Sequence, residues 1–366
     1  MDTKVFLERD IERAAAILRG GGLVGIPTET VYGLGADGLN PVAVRAIFQA
    51  KGRPQDNPLI LHIPEASWLE RYCEDVPDTA CRLAERFWPG PLTMVLKCKR
   101  RTPEELETLW GGPVCSYTHF GPRVIPDVVT AGLDTVGMRC PAHPLCREII
   151  RLAGVPVAAP SGNTSGKPSP TTARHMLEDM AGKIDAILDG GPCCVGVEST
   201  IIDLTCTPPR LLRPGGITLE QLKGVLGEVA VDPAITRLMG EGEQPRAPGM
   251  KYRHYAPRAP VTVVKGAPER GAAYIREHLS HTRWDGVICF EEYVPLFMGG
   301  DETRPVFSLG PAGDKGEHAR RLFDALRAMD NTDVKRVWAQ CPDEGGIGLA
   351  VANRLNKAAG FHIIEI

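Results

Sequence analysis

Over residues 240–260 the chain drops its alternation of apolar and polar runs and turns to Gly, Pro, Arg and Tyr: Glu243-Gln244-Pro245-Arg246-Ala247-Pro248-Gly249-Met250-Lys251-Tyr252-Arg253-His254-Tyr255-Ala256-Pro257. Gly and Pro at this density end helices and strands, so no element runs through, and each flanking part must bury its own apolar face. The 366 residues exceed one typical domain, which agrees with such a division. The pattern predicts a domain over residues 1–227, a linker over 228–260 and a smaller domain over 261–366. The linker's aromatic and basic side chains are unlike a passive tether, which would favour Gly and Ser.

Before the linker, helical periodicity over residues 7–19 ends at Gly20-Gly21-Gly22, and Leu23-Val24-Gly25-Ile26 is a short apolar run stopped by Pro27. A helix is expected over 41–50, capped by Asn40, opened by Pro41 and stopped by Gly52 and Pro54. Strands are expected over 59–63, 156–160 and 199–204, with a helix opened by Ser169-Pro170-Thr171 and running through Met180. After the linker, apolar runs at 261–264, 286–290 and 337–339 read as strands, and 317–329 and 349–359 as helices. Strands and helices alternate, but too irregularly for a clean doubly wound sheet. The predicted class is α/β, with a mixed, twisted sheet in the first domain and a smaller Rossmann-like α/β domain after it.

Charge and cysteine usage narrow the function. Lys+Arg 42 against Asp+Glu 45 leaves a formal net charge of −3, unlike the basic excess of a dedicated nucleic-acid binder. No apolar run is long enough to span a membrane, and Met1-Asp2-Thr3-Lys4 leads into an acidic helical pattern unlike a signal peptide. None of the 11 cysteines forms a CxxC pair, which predicts a reduced, cytoplasmic protein without structural zinc.

Several segments could carry chemistry. Gly33-Leu34-Gly35-Ala36-Asp37-Gly38 fits G-x-G-x-x-G, but no regular βαβ unit with a terminal acid follows, and a glycine-rich turn is the better reading. Lys51-Gly52-Arg53-Pro54 sits just past a helix end. It reads either as a solvated, dipole-compensating surface or as a rigid corner offering a point charge and a planar fork to phosphate oxygens. His62 lies on the 59–63 strand, opposite in face to Leu59 and Leu61, with Arg53 and Asn57 on the preceding connection. Ser161-Gly162-Asn163 follows a buried strand, where α/β ligands commonly bind. Ser169 reads as a helix cap, and that helix start also suits a phosphate. Glu198-Ser199-Thr200 and Arg213 stand at strand edges. With no Ser-His-Asp order, HExxH or carboxylate cluster, the set reads as one that positions and neutralises a ligand without a covalent intermediate.

Taken together these stretches resemble the YrdC-type domain of the threonylcarbamoyl-AMP synthases. The matching segments are residues 27–35, Lys51-Gly52-Arg53-Pro54 with Asn57-Pro58-Leu59, residues 135–139, Ala159-Pro160-Ser161-Gly162-Asn163, Ser169-Pro170-Thr171, Gly196-Val197-Glu198-Ser199-Thr200 and Leu212-Arg213-Pro214-Gly215. The segment 248–257 and the tail domain resemble the longer, two-domain branch. The resemblance implies that ATP, bicarbonate and L-threonine yield threonylcarbamoyl-AMP and pyrophosphate, with Mg2+ accompanying ATP. The product would pass to a threonylcarbamoyl transferase machinery that modifies adenosine in tRNA, without stable tRNA binding here.

By the same resemblance Thr30, His62, Arg139 and Ser199 would hold threonine, with Arg139 facing its carboxylate. Arg53, Asn57, Thr135, Ser161, Ser169 and Arg213 would hold ATP, and Lys51 and Asn163 would complete the phosphate cradle. Lys51 and Arg53 are the expected catalytic pair. Tyr252 is the expected lid residue over the nucleotide, with Tyr255 as substitute.

Two departures stand out. Residues 99–126 are longer than the family's connection, and Gly162 stands where alanine is expected, a change read as added flexibility. The alternatives are a non-catalytic RNA-binding module and a carbamoyltransferase-related enzyme. The second would carry zinc-finger, acylphosphatase-like or large transferase regions, which do not fit this chain.

Overall fold

The computed structural model describes residues 2–101, 123–237, 239–240, 243, 245–250, 254–280, 283–298 and 304–366. The unusual stretch within 99–126 lies largely outside these residues, as do Lys251, Tyr252 and Arg253.

The first domain is built on one sheet of 11 strands, the last of which, Ala230–Val231, lies within the expected linker, so the sheet extends past the expected boundary at 227. In chain order they are β1 (Lys4–Phe6), β2 (Val24–Ile26), β3 (Gly33–Asp37), β4 (Ile60–His62), β5 (Leu92–Lys97), β6 (Thr135–Arg139), β7 (Val157–Ala158), β8 (Ala186–Leu188), β9 (Thr200–Asp203), β10 (Arg210–Arg213) and β11 (Ala230–Val231). Their spatial order is β1-β8-β2-β3-β7-β4-β6-β5-β9-β10-β11. The sheet is mixed, as expected. Strands β4 and β6 are parallel, with His62 opposite Arg139, whereas β5 runs antiparallel to β6 and parallel to β9. Strands β2, β4, β7, β8 and β9 are short and wholly buried, so they read as apolar runs without alternation.

Helix Pro41–Lys51 shows how local chemistry sets an element. Asn40 Oδ1 accepts from the amides of Val42 and Ala43 at 3.0 and 3.2 Å, Pro41 fills the first turn, and Gly52 ends the helix at φ 62°. The expected helix at Ser169 begins later: it spans Ala173–Met180, and its cap is Thr172, whose hydroxyl accepts from the His175 amide at 3.2 Å. Ser169 is therefore neither that cap nor at the helix start. Gly33-Leu34-Gly35-Ala36-Asp37 forms strand β3, which overturns the expected glycine-rich turn as well as the dinucleotide-loop reading. A methyl group at Gly162 would lie 2.7 Å from the Met176 thioether, so the glycine there makes room for core packing.

The second sheet has five strands: β12 (Val261–Lys265), β13 (Asp285–Cys289), β14 (Val306–Ser308), β15 (Arg336–Gln340) and β16 (Ile363–Glu365). They pair in parallel in the order β14-β13-β15-β12-β16. Helices Lys315–Asp330 and Gly348–Ala358 pack together and present one side to the first domain.

The two sheets share buried contacts. Val31 and Val197 from the first domain and Tyr255 from the linker join Leu322, Phe323 and Leu326 in a single apolar cluster. Gly196, at φ 81°, approaches the backbone of helix Lys315–Asp330 so closely that a methyl group would lie 2.4 Å from Arg320 Cα. Arg327 clasps the Pro168 carbonyl and the Asp179 carboxylate at 2.6 and 2.7 Å.

Candidate active site

The ends of β4 and β6, the loop after β7, the start of β9 and the second half of the linker converge on one cleft. Lys51, Arg53, His62, Arg139, Ser161, Asn163, Ser199 and Arg213 all line it, together with Val31, Glu198, Pro248, Gly249, His254 and Tyr255. Its cavity volume is about 60 Å³, small beside the ~300–1,000 Å³ of a usual small-molecule pocket.

One end is organised around Arg139. Its Nη2 donates to Glu29 Oε1 and to Thr30 Oγ1, both at 2.8 Å. Glu29 Oε2 accepts from the Ala142 amide at 3.0 Å, so the carboxylate is satisfied on both oxygens. Thr28 spends its proton on the Val31 carbonyl at 2.6 Å, which leaves Thr30 as donor in their 2.7 Å hydroxyl contact. The Thr30 hydroxyl is thereby fixed in orientation. His62 is buried beside Arg139, and burial, helped by that guanidinium, lowers its pKa to about 3, so the ring is neutral near pH 7. His62 Nδ1 and Arg139 Nε are buried without partners.

The other end is cationic. Lys51 is fully buried, and its ammonium donates to the carbonyls of Ser161 and Asn163, both at 2.5 Å. Burial pushes its pKa well below the usual lysine range, and Arg53 adds to the shift. Arg53 Nη2 reaches back to the Asn57 and Pro58 carbonyls at 3.4 and 3.1 Å. Arg213 donates to the Ser199 carbonyl through Nε and Nη2 at 3.1 and 2.9 Å, and to the Pro248 carbonyl of the linker at 3.3 Å. Its burial lowers its pKa to about 10, which still leaves it charged. Asn163 uses Nδ2 to hold the Thr164 and Lys167 carbonyls, while its Oδ1 is buried and unpartnered.

Several expected residues stand behind the cleft wall. Thr30 acts through Arg139. Asn57 is 1% exposed, with both side-chain polar atoms unpartnered. Thr135 lies at the start of β6. Ser169 is fully buried, and its hydroxyl donates to Glu198 Oε1 at 2.6 Å. Tyr252 lies outside the described residues, whereas Tyr255 lines the cleft.

Sequence reasoning gave no role to Glu29, Glu198 or Arg354, the buried ions that hold the site's guanidinium and carboxylate groups in place. Glu29 lies inside the 27–35 stretch and Glu198 beside Ser199, so their neighbourhood was the available signal. Nothing local marks Arg354.

The comparisons with known proteins give the family. A family model described as "Threonylcarbamoyl-AMP synthase, C-terminal domain" matches residues 217–360, and one described as "Telomere recombination" matches 16–108 and 102–215. The chain is 46% identical over 360 residues to threonylcarbamoyl-AMP synthase of Pyrococcus abyssi, covering 98% of this chain and 96% of that protein. It is 45% identical to the Bacillus subtilis enzyme of the same name, over 97% and 94% of the two chains. The crystal structure of P. abyssi Sua5 complexed with L-threonine matches with a TM-score of 0.83 at 44% identity, over 100% of both chains. The chain therefore belongs to the threonylcarbamoyl-AMP synthase family, in the branch that joins a YrdC-type domain to a Sua5 C-terminal domain.

Proposed function

We propose that this chain converts ATP, bicarbonate and L-threonine into threonylcarbamoyl-AMP and pyrophosphate, in the cytoplasm, for transfer to adenosine in tRNA by a separate machinery. The observation that carries the reading is that one cleft joins an Arg139–Thr30–His62 end to a Lys51–Arg53–Arg213 end. The relative solved with L-threonine, 44% identical, supports threonine as a substrate.

The chemistry needs positioning more than side-chain acids. The threonine amine forms an N–C bond to the carbon of bicarbonate, a C–O bond of bicarbonate breaks, and water leaves with a proton from the amine, giving a carbamate. A carbamate oxygen attacks the α-phosphorus of ATP, the bond to the bridging oxygen breaks, and pyrophosphate leaves with that electron pair. Arg139 keeps donor capacity towards a carboxylate. The neutral His62 leaves an amine or carbamate free of a competing charge. At the other end Lys51, Arg53 and Arg213 line the cleft together, a cluster of basic groups suited to a triphosphate. Among the described residues no group of three or more His, Cys, Asp or Glu is placed to hold a metal. Magnesium would enter with ATP as part of the substrate.

The test is mass spectrometry of products with a parallel pyrophosphate assay. A threonylcarbamoyl-AMP mass is expected only when ATP, magnesium, threonine and bicarbonate are all present. Equal pyrophosphate release without threonine would refute the amino-acid assignment.

A further inference from the structure

Helix Lys315–Asp330 of the C-terminal domain meets the first domain at the foot of a loop that lines the cleft. Arg327 is 8% exposed, and its Nη2 donates to the Pro168 carbonyl at 2.6 Å and to Asp179 Oδ2 at 2.7 Å. Asp179 is 4% exposed, and its other oxygen accepts from Lys167 Nζ at 3.1 Å. The Lys167 carbonyl accepts from Asn163 Nδ2 at 2.9 Å. The carbonyls of Asn163 and Ser161 both accept from Lys51 Nζ at 2.5 Å. A continuous chain of bonds thus runs from the second domain to Lys51, which lines the cleft beside Ser161, Asn163, Ser165 and Gly166.

Residues 162–168 belong to no helix or strand, so bonds of this kind set the loop's course. Two backbone bonds join in: the Ser165 amide donates to the Lys51 carbonyl at 2.9 Å, and the Ala256 amide of the linker donates to the Gly166 carbonyl at 3.0 Å. Docking two domains does not call for Arg327. The apolar contacts of Leu322, Phe323 and Leu326 serve without the desolvation that a buried ion pair costs. The consequence runs through donor count. An ammonium has three N–H groups. Lys51 commits two of them to loop carbonyls, so the position of the loop sets where the third one points. Asp179 and Arg327 also act on the Lys51 charge from behind, the carboxylate favouring it and the guanidinium opposing it.

We propose that Arg327 is a positioning residue of the cationic end: it pins the 161–168 loop, and the pinned loop aims the third Lys51 N–H at the nucleotide's phosphates. This rests on reading the cleft as an ATP site. It also gives the C-terminal domain a part in substrate binding that lies beyond holding the linker.

The experiment compares wild type with Arg327→Met, Arg327→Lys, Lys51→Met, the double variant Arg327→Met/Lys51→Met, and Leu326→Ala. The last loosens the same domain contact without touching the loop. Magnesium-ATP affinity is measured by calorimetry, and KM for threonine by steady-state kinetics. Arg327→Met is expected to weaken ATP binding about tenfold, while KM for threonine barely moves. Arg327→Lys, whose ammonium can still reach one of the two acceptors, is expected to recover part of that loss. In the Lys51→Met background Arg327→Met is expected to cost little more, because both act through one ammonium. Leu326→Ala is expected to lower the melting temperature and to leave ATP affinity near wild type.

A folded Arg327→Met protein with wild-type ATP affinity would overturn the proposal. So would full additivity with Lys51→Met, or an equal loss of ATP affinity in Leu326→Ala, either of which would mark loosened docking. If Arg327→Met leaves Asp179 too poorly paired to fold, adding Asp179→Asn removes both charges and decides: wild-type ATP affinity there overturns the proposal, and a loss confined to ATP supports it. A wild-type protein that does not bind magnesium-ATP would refute the ATP reading and this proposal together. One that binds it yet makes no threonylcarbamoyl-AMP would sink the proposed function alone, and the ATP titrations would still decide the role of Arg327.

Discussion

The cleft's Arg139 end and its Arg213 end use the same residue types and reach different balances. At the first, one guanidinium meets one carboxylate, Glu29, and the adjacent histidine is neutral. At the second, Lys51, Arg53 and Arg213 line the cleft beside Glu198, whose carboxylate is paired from behind by Arg354. Every buried cation bears a desolvation cost, so the excess is informative. A balanced end suits a zwitterion such as an amino acid, and an unbalanced one suits a polyanion. Substitutions that alter one balance are expected to affect one substrate.

The largest effect is expected at the balanced end. Arg139→Gln leaves Glu29, 6% exposed, without its cation, a loss of roughly 3–5 kcal/mol for a broken buried pair. Arg139→Lys keeps the charge but loses the planar guanidinium, whose Nη2 holds Glu29 and Thr30 while its other nitrogens stay available. Steady-state kinetics on that variant should show threonine saturation lost while the KM for ATP stays within a few-fold. If both constants rise alike, the two ends are not separate sites.

His62 sharpens the same end through stability. Its pKa is about 3 in the folded protein and 6.5 unfolded. Between those values the unfolded chain binds the extra proton, so stability is full above pH 6.5 and falls as pH drops. At pH 5 the loss is about 2 kcal/mol from this side chain. Urea unfolding at pH 7 and pH 5 would measure it as the difference in slope between wild type and His62→Gln. Parallel slopes would place the ring in contact with water.

At the cationic end, Arg53→Lys is expected to lower kcat/KM for ATP about ten- to hundredfold, the range of a charge-assisted bond worth ~1.5–3 kcal/mol. Arg53 is only half-buried, so the melting temperature is expected to hold. Normal turnover in Arg53→Ala would return the residue to an ordinary surface charge.

How much of this was legible in the sequence depends on whether the cause was local. Asn40, Pro41 and Gly52 act within a few residues, and helix Pro41–Lys51 came out within one residue of its expected end. The resemblance placed eight side chains that do line one cleft. The strand order was not legible: β1 pairs with β8 across some 180 residues, and β5 sits between β6 and β9. No periodicity encodes such crossovers. Glu29 and Glu198 looked like ordinary acids because their partners lie 110 and 156 residues away. Ser169 followed by a proline imitates a helix cap, and only the observed backbone moves that role to Thr172.

The smallest expected effect concerns the linker. Pro248, Gly249, His254 and Tyr255 form one wall of the small cleft, so outward movement of the linker would widen it and its return would enclose a ligand. A mixed anhydride that hydrolyses readily gains from such enclosure. Tyr255 sits at the turning point. Its ring packs 5.2 Å from Phe323 in the shared core, and its hydroxyl interacts with Glu198. Tyr255→Phe keeps the packing and removes one hydrogen bond worth ~0.5–1.5 kcal/mol, a two- to tenfold rise in the KM for ATP. More of the product should also appear as its hydrolysed form in the mass spectrum. Proteolysis across 240–257 should slow when ATP and threonine are added together, and less so in Tyr255→Phe. If ligands leave cleavage unchanged and Tyr255→Phe gives normal product yield, the linker only joins the domains, and the cationic end must open by another route.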